Sequence, residues 1–516
     1  MNDEATGTTD TSALPQDGQE HRLHPLSWLF VLIAQLRQFI VPLAVLLFAG
    51  RGDRNDLWGL LAVCVLVVVS LAQYFTYRYR LRGDAIVVRS GWLHRSVREI
   101  PYARIHNVNL HQSLLHRLFG VAEVRLESAG GMKPEAQMRV LRLDQAEALE
   151  ALVRQRGHAA AGAAQADADA AGEPQLLALS NSELLRLGLI SNRGMLVVAA
   201  AFGALAQTGD NVFGVLVDRW GKLAFGWFEG LAGEHAHDSP VAIAFAVASL
   251  VLIALVLVRL LSVLLAFLQY HGFTLREDDA RIRVERGLLT RYRSSAKRRR
   301  IQSWSLHEGV LHRWFARRSL RVQTASRQRG EGDQQSLKEL APVATPAHCD
   351  ALIRHFLPDA GWEALEWLPL HRRAWLRIAM PGLLLLLAGS AGLCWRFGPA
   401  ALLALALVPL QLWRARRIAG ACGYACNDTL VAWRTGWLSK TWHFAEIDKI
   451  QAQRLAQSPL DRRLGMASLL LDTAGASAFG APLHLRQLPV DVARDLSARL
   501  VAQLDRRRIQ RDLLRG

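Results

Sequence analysis

Cysteine is scarce in this chain: five residues in 516. An odd count argues against a disulfide framework. Cys64 and Cys394 lie inside apolar runs, and Cys422 and Cys426 are spaced C-x3-C with no second pair at zinc-site spacing. No metal and no other cofactor is therefore expected. A P-loop, a G-x-G-x-x-G after a strand and a G-x-S-x-G elbow are all missing, which removes the common signatures of nucleotide and serine-hydrolase chemistry. The polar, acidic opening MNDEATGTTDTSALPQDGQE has no charged-then-apolar pattern, so no cleaved signal is expected. Acidic residues are also short, 45 against 62 Lys and Arg, for a formal net charge of +17.

What is present is apolar. Hydrophobic residues make up 51% of the chain. Together with the positive charge, this fits a membrane protein whose cytoplasmic parts carry the arginines. The length exceeds what one core serves, so several domains are expected. Uncharged runs fill 57–72, 241–258 and 398–413, each with a weaker apolar partner upstream at 27–49, 194–216 and 374–395. Arg37 interrupts the first partner, Asp210 ends the apolar stretch of the second, and Arg377 sits near the start of the third. Arginines crowd the ends at 78–82, 372–373 and 414–417, while the loop inside the second pair carries Asp210, Asp218, Glu229, Glu234 and Asp238. By the positive-inside rule both termini and the long polar segments are expected in the cytoplasm.

After each apolar pair comes a polar segment, and the three segments align without a gap. They begin at Gly91, Gly287 and Gly436 and reach Ile105, Ile301 and Ile450 after the same interval. The shared positions are apolar: Leu110, Leu306 and Leu455; Leu115, Leu311 and Leu460; Phe119, Phe315 and Leu464. No histidine persists, since His106, His111 and His116 become Gln302, His307 and His312, then Gln451, Ala456 and Asp461. A repeated core is expected from this, not a repeated active site. Strand-period alternation, a glycine turn, a short helix capped by Ser113, and closing helices at 144–154, 345–356 and 490–504 predict a small antiparallel β unit with one helix over an end. Ser180 and Glu183 have capping-box spacing for the helix entering the third run.

The glycine turn followed by IPYARIHNVNLHQSLLHRLFG and VRLESAGG resembles the bacterial pleckstrin-homology-like domain of YdbS/YdbT-type membrane proteins, and the threefold hairpin-plus-domain order is similar to the three-domain type. The second copy departs from it at Ala316 and at Lys297–Arg300. The resemblance implies an α+β membrane protein: three transmembrane helical hairpins, each followed by a small antiparallel β PH-like domain capped by a C-terminal helix. The division is a tail at 1–25, hairpins at 26–77, 176–269 and 359–413, PH-like domains at 78–156, 270–358 and 414–516, and an Ala-rich linker at 157–175.

Candidate chemistry is sparse. HEGVLH at 307–312 puts its histidines at i and i+5, which does not match the zinc-protease spacing. His235 and His237, beside Glu234 and Asp238, make an incomplete ligand set. The basic stretches carry more weight. Arg78, Arg80, Arg82, Arg95 and Arg98 in the first copy, and Arg281, Arg283, Arg291, Arg293, Lys297, Arg298, Arg299 and Arg300 in the second, are candidate anionic-lipid contacts. Each is worth about 1 kcal/mol near an anionic leaflet. The expected function is non-catalytic: lipid or protein interactions organised at the inner-membrane surface, with homo-oligomers possible. The alternatives are an export or envelope-stress component and a membrane-surface enzyme. Arg37, Gln38 and Asp210 are the polar residues in the spans that bear on them. Nucleic acid is not expected as a partner, because the arginines are tied to membrane flanks.

Overall fold

A computed structural model describes parts of 20–33 and 61–76, then 77–91, 95–128, 136–159, 174–207, 226, 240–278, 281–324, 337–473 and 483–513. Most of the first hairpin and of the Ala-rich linker lies outside these residues, as do Arg37, Gln38, Asp210, His235 and His237.

Each module repeats one order. In the first, strands β1 (Glu20–Arg22), β2 (Arg78–Leu81), β3 (Ala85–Ser90) and β4 (Ser96–Pro101) form one sheet. β5 (Ile105–Gln112), helix α1 (Leu114–Leu118), β6 (Val121–Ser128), β7 (Ala136–Arg142) and α2 (Leu143–Ala159) follow. The second module has β8 (Gln175–Ala178), then α3 (Asn181–Ile190), α4 (Arg193–Gln207) and α5 (Pro240–Tyr270). Its sheet strands are β9 (Thr274–Asp278), β10 (Arg281–Arg286) and β11 (Arg291–Lys297). They are followed by β12 (Ile301–Glu308), α6 (Val310–Trp314), β13 (Arg318–Thr324), β14 (Glu339–Ala344) and α7 (Pro346–Phe356). The third has β15 (Leu368–Pro369), α8 (Ala374–Phe397), a 3-10 segment (Pro399–Leu407), α9 (Val408–Ala421), β16 (Gly423–Cys426), β17 (Leu430–Thr435) and β18 (Lys440–Glu446). It ends with β19 (Ile450–Ala456), α10 (Pro459–Leu464), β20 (Met466–Thr473), β21 (Leu483–Pro489) and α11 (Val490–Leu513).

Three short strands, β1, β8 and β15, therefore precede the apolar segments of their modules, and β8 and β15 belong to the sheets that follow them. The sequence division leaves these residues in the tail, in hairpins two and three and, for Gln175, in the linker. Runs of two to four residues are too short for alternation to register.

The sheets do not respect module boundaries. β7-β6-β5-β11-β10-β9-β8 is one seven-stranded sheet, and β14-β13-β12-β18-β17-β16-β15 is another. The second half of each module is joined edge to edge with the first half of the next, through β5–β11 and β12–β18.

The glycine turns hold as expected. Gly91, Gly287 and Gly436 have φ of 108°, 113° and 90°, and a Cβ on Gly436 would lie 1.8 Å from Ser439 O. Ile105, Leu110, Ile301, Leu306 and Ile450 are buried, and Leu311, Phe315 and Leu464 pack partly buried against their cores; Leu460 is half-buried. Three core expectations are corrected. Leu115 and Phe119 are 40% and 43% exposed, because the five-residue α1 lies on the rim, where Phe119 meets Phe30 edge-on at 6.4 Å. Leu455 is 40% exposed because its strand, β19, is a sheet edge among the described residues. The Ser180 cap is also corrected: its hydroxyl bonds Ser182 Oγ, and Glu183 is taken by Arg186 and Arg317.

Two described helices are long and apolar enough to cross a membrane, Val247–Tyr270 and Ala374–Trp395, and α3 with α4 makes a pair bent by 49° that qualifies jointly. The bend at Ser191 has a cause. Arg259 Nη1 donates to Leu189 O (3.0 Å) and Ser191 O (3.2 Å), satisfying carbonyls at the end of α3. Small residues bring the segments together: a Cβ on Gly188 would strike Val263, and one on Gly382 would strike Gln411.

Candidate functional site

Where α9 runs into β16, cations converge on an opening whose lining holds no carboxylate. A cavity of about 490 Å³ is lined by Arg313, Arg416, Arg417, Gly420, Ala421, Arg434, Trp437 and Lys440. The last two turns of α9 present Arg416 and Arg417. Arg434 on β17 donates from Nε to Ala421 O (3.0 Å), which ties the helix end to the sheet. The turn at Gly436 brings Trp437 and Lys440 to the opposite wall, and Arg313 of the second module closes it by donating to Trp437 O (2.6 Å) and Leu438 O (2.8 Å). Aromatic faces hold the guanidiniums: Arg416 over Trp375 (4.6 Å), Arg417 over Trp437 (5.5 Å) and Arg434 over Trp367 (5.0 Å). Glu308, 3.3 Å from Arg313 Nε, is the ion-pair partner of the set among the described residues. Forked guanidiniums beside an ammonium suit a phosphate or another oxyanion.

The arginines expected from sequence lie elsewhere, in several settings. Arg78, Arg80 and Arg89 surround Glu20 at 2.9–3.2 Å and hold its carboxyl below the usual range, Arg78 most of all. Arg82 pairs with Glu99 (3.5 Å), and Arg95 and Arg98 are exposed. Arg283 meets Glu150 (3.4 Å) and Arg293 meets Glu147 (3.4 Å), so both join β10 and β11 to α2 of the preceding module. Arg291 is exposed at the start of β11. Gly287 N and Leu288 N donate to His271 O and Leu268 O, so this start lies beside the end of α5. Arg298, Arg299 and Arg300 follow at the other end of β11, roughly 20 Å away at 3.3 Å per residue. That is more than two Debye lengths from the helix end at physiological salt. Arg298 there donates to Phe356 O. Burial pushes Lys297 and Arg300 down, and neighbouring Arg281 and Arg299 add to the effect at Lys297.

Arg416 and Arg417 read in the sequence as topology signals only, and Arg434 and Lys440 were not singled out. The signal available was the interleaving of Trp413, Arg414, Arg416, Arg417 and Trp437 around the end of an apolar run. One polar position also persists through the repeat. Arg117, Arg313 and Arg462 occupy the same place in the three ungapped copies. Arg117 Nη1 donates to Leu288 O (2.7 Å), so the first two of these arginines each reach the glycine turn of the following module.

A second cavity, of about 570 Å³, opens at the bend between α3 and α4 and is faced by Arg193, Arg321, Glu339, His307 and His312. Glu339 is held there by Arg286 (3.3 Å), Arg321 (3.4 Å) and Arg193 (3.6 Å).

The profile described as "Bacterial PH domain" matches at residues 29–157, 231–353 and 381–504. The chain belongs to this family. Each match spans apolar residues and the sheet-built unit after them, which agrees with the module order above. The chain is also 20% identical over 497 residues to the UPF0699 transmembrane protein YdbT of Bacillus subtilis (strain 168), covering 92% of this chain and 96% of that one. It is a membrane protein of the YdbT type with three bacterial PH domains. No solved structure matches it.

Proposed function

We propose that this bacterial PH-domain protein is a non-catalytic, multi-pass protein of the inner membrane. In this reading three helical hairpins anchor it, both termini and all three PH domains are cytoplasmic, and the domains gather anionic lipid headgroups and protein partners at the membrane surface. The observation that carries it is the cavity at the foot of α9, with no carboxylate in its lining, where Arg416, Arg417 and Arg434 lie over tryptophans beside Lys440 at the end of an apolar segment. Tryptophan favours the headgroup level, and each nearby cation adds about 1 kcal/mol toward an anionic leaflet. Arg95 and Arg291 stand at the repeat position of Lys440, four residues after the turn glycine, and are the corresponding lipid contacts of the other two domains.

The test uses the full chain in nanodiscs of mixed phosphatidylglycerol and phosphatidylcholine. Replacing Arg416, Arg417 and Lys440 with Gln should strip co-purifying phosphatidylglycerol relative to the native chain, as read by lipid mass spectrometry. Equal retention would refute headgroup binding at this cavity.

A further inference from the structure

The two internal junctions follow one register. In the first, Leu110 pairs with Arg293 and Gln112 with Arg291. In the second, Leu306 pairs with Trp442 and Glu308 with Lys440. Counted from the repeat landmarks these are the same pairs: the residue five after the isoleucine faces the residue six after the glycine, and seven faces four. The rule leaves two strands over. Among the described residues, β4, the counterpart of β11 and β18, pairs only with β3, and β19, the counterpart of β5 and β12, pairs only with β20. Among the described residues, one edge of the first sheet and one edge of the last thus stand open.

Applied to those edges, the register sets Leu455 opposite Val97, Ala456 opposite Ser96 and Gln457 opposite Arg95. Leu455 and Val97 are 40% and 62% exposed, whereas Leu306 and Trp442 at the same repeat positions are 0% and 9% exposed. The apolar residues that the junction would cover are the ones left in water. The junction arginine is present too: Arg462, the counterpart of Arg117 and Arg313, is exposed on α10. An open sheet edge offers unpaired N–H and C=O groups to another strand.

We propose that this protein self-associates head to tail, β19 of one copy adding to β4 of the next in the register of its own internal junctions, with Arg462 reaching toward Gly91 of the neighbour. This contact is heterologous, so copies form a row or a ring and not a two-fold dimer. One feature of the register works against it: Arg454 falls opposite Arg98. Like charges across a strand pair weaken it.

The experiment expresses two differently tagged full-length chains, V97C and L455C, in the same membranes and treats them with a short bis-maleimide. The native chain, with its five cysteines, and each variant alone serve as controls. The proposal expects a product carrying both tags, formed only in the mixture, and a ladder of products from the double variant. In that background Arg462→Gln should lower the yield, and Arg454→Glu should raise it about two- to fivefold by setting opposite charges across the pair. Absence of the mixed product, a V97C–V97C product in its place, or cross-linking to a different protein alone would overturn it. A yield indifferent to both arginine substitutions would overturn the register.

Discussion

Gly436 shows what one residue decides in this molecule. Its φ of +90° is open to glycine and strained for others, and a Cβ there would meet the backbone oxygen of Ser439 at 1.8 Å. Gly436→Ala should cost about 1–3 kcal/mol, seen as a lower thermal midpoint of the purified chain. It should also disturb the basic cavity, because this turn places Trp437. His312 gives the pH dependence. Burial first, then the charges of His307 and Arg321, push it down to about 4. The unfolded imidazole takes up a proton near pH 6.5 while the folded one stays neutral, so stability falls as pH drops from about 6.5 to about 4 and is unaffected above that window. Replacing His312 with Gln should flatten part of that slope in melts recorded between pH 7 and pH 4.5.

At the scale of elements, the two junctions share a register but not a chemistry. Between modules one and two, Arg283 and Arg293 face Glu147 and Glu150, and Ser294 donates to Asn109 Oδ1 at 3.1 Å. Between modules two and three, Phe444 stacks with Trp304 at 6.3 Å and meets Trp362 at 4.5 Å, and it is fully buried in the core of the second module. Phe444→Ala should therefore cost about 3–5 kcal/mol. Phe119→Ala, on an exposed rim helix, should cost clearly less. Equal losses in matched thermal melts would contradict the burial assigned to the two rings. Each element was legible in the sequence where its alternation ran long enough, as in β5, β12 and β19. The lead strands β1, β8 and β15 were not legible, since so few residues carry no period. The exposure of Phe119 was hidden as well, because an apolar residue reads the same on a rim as in a core.

The whole molecule is a row of three units zipped into one another. Among the described residues, two helices and a bent pair are long and apolar enough to cross a membrane. A periplasm-active reporter fused after Arg156 should be silent and one placed near Gly233 active; the opposite pattern would reverse the topology. The basic cavity exists only at this scale, since Arg313 reaches it from the module before.

The chain's own letters were enough to set the threefold repeat, the apolar pairs and the glycine turns. Burial and backbone sterics act on residue type and spacing, and both are written in order along the polymer. Which strands meet across modules was decided only in three dimensions. Ladder hydrogen bonds join amides and carbonyls that every residue carries, so β5 holds no mark that selects β11 nearly two hundred positions away. The same blindness hid the cavity, whose cations come from the end of helix α9, a strand and turn, and a neighbouring domain and become a site only when the junction closes.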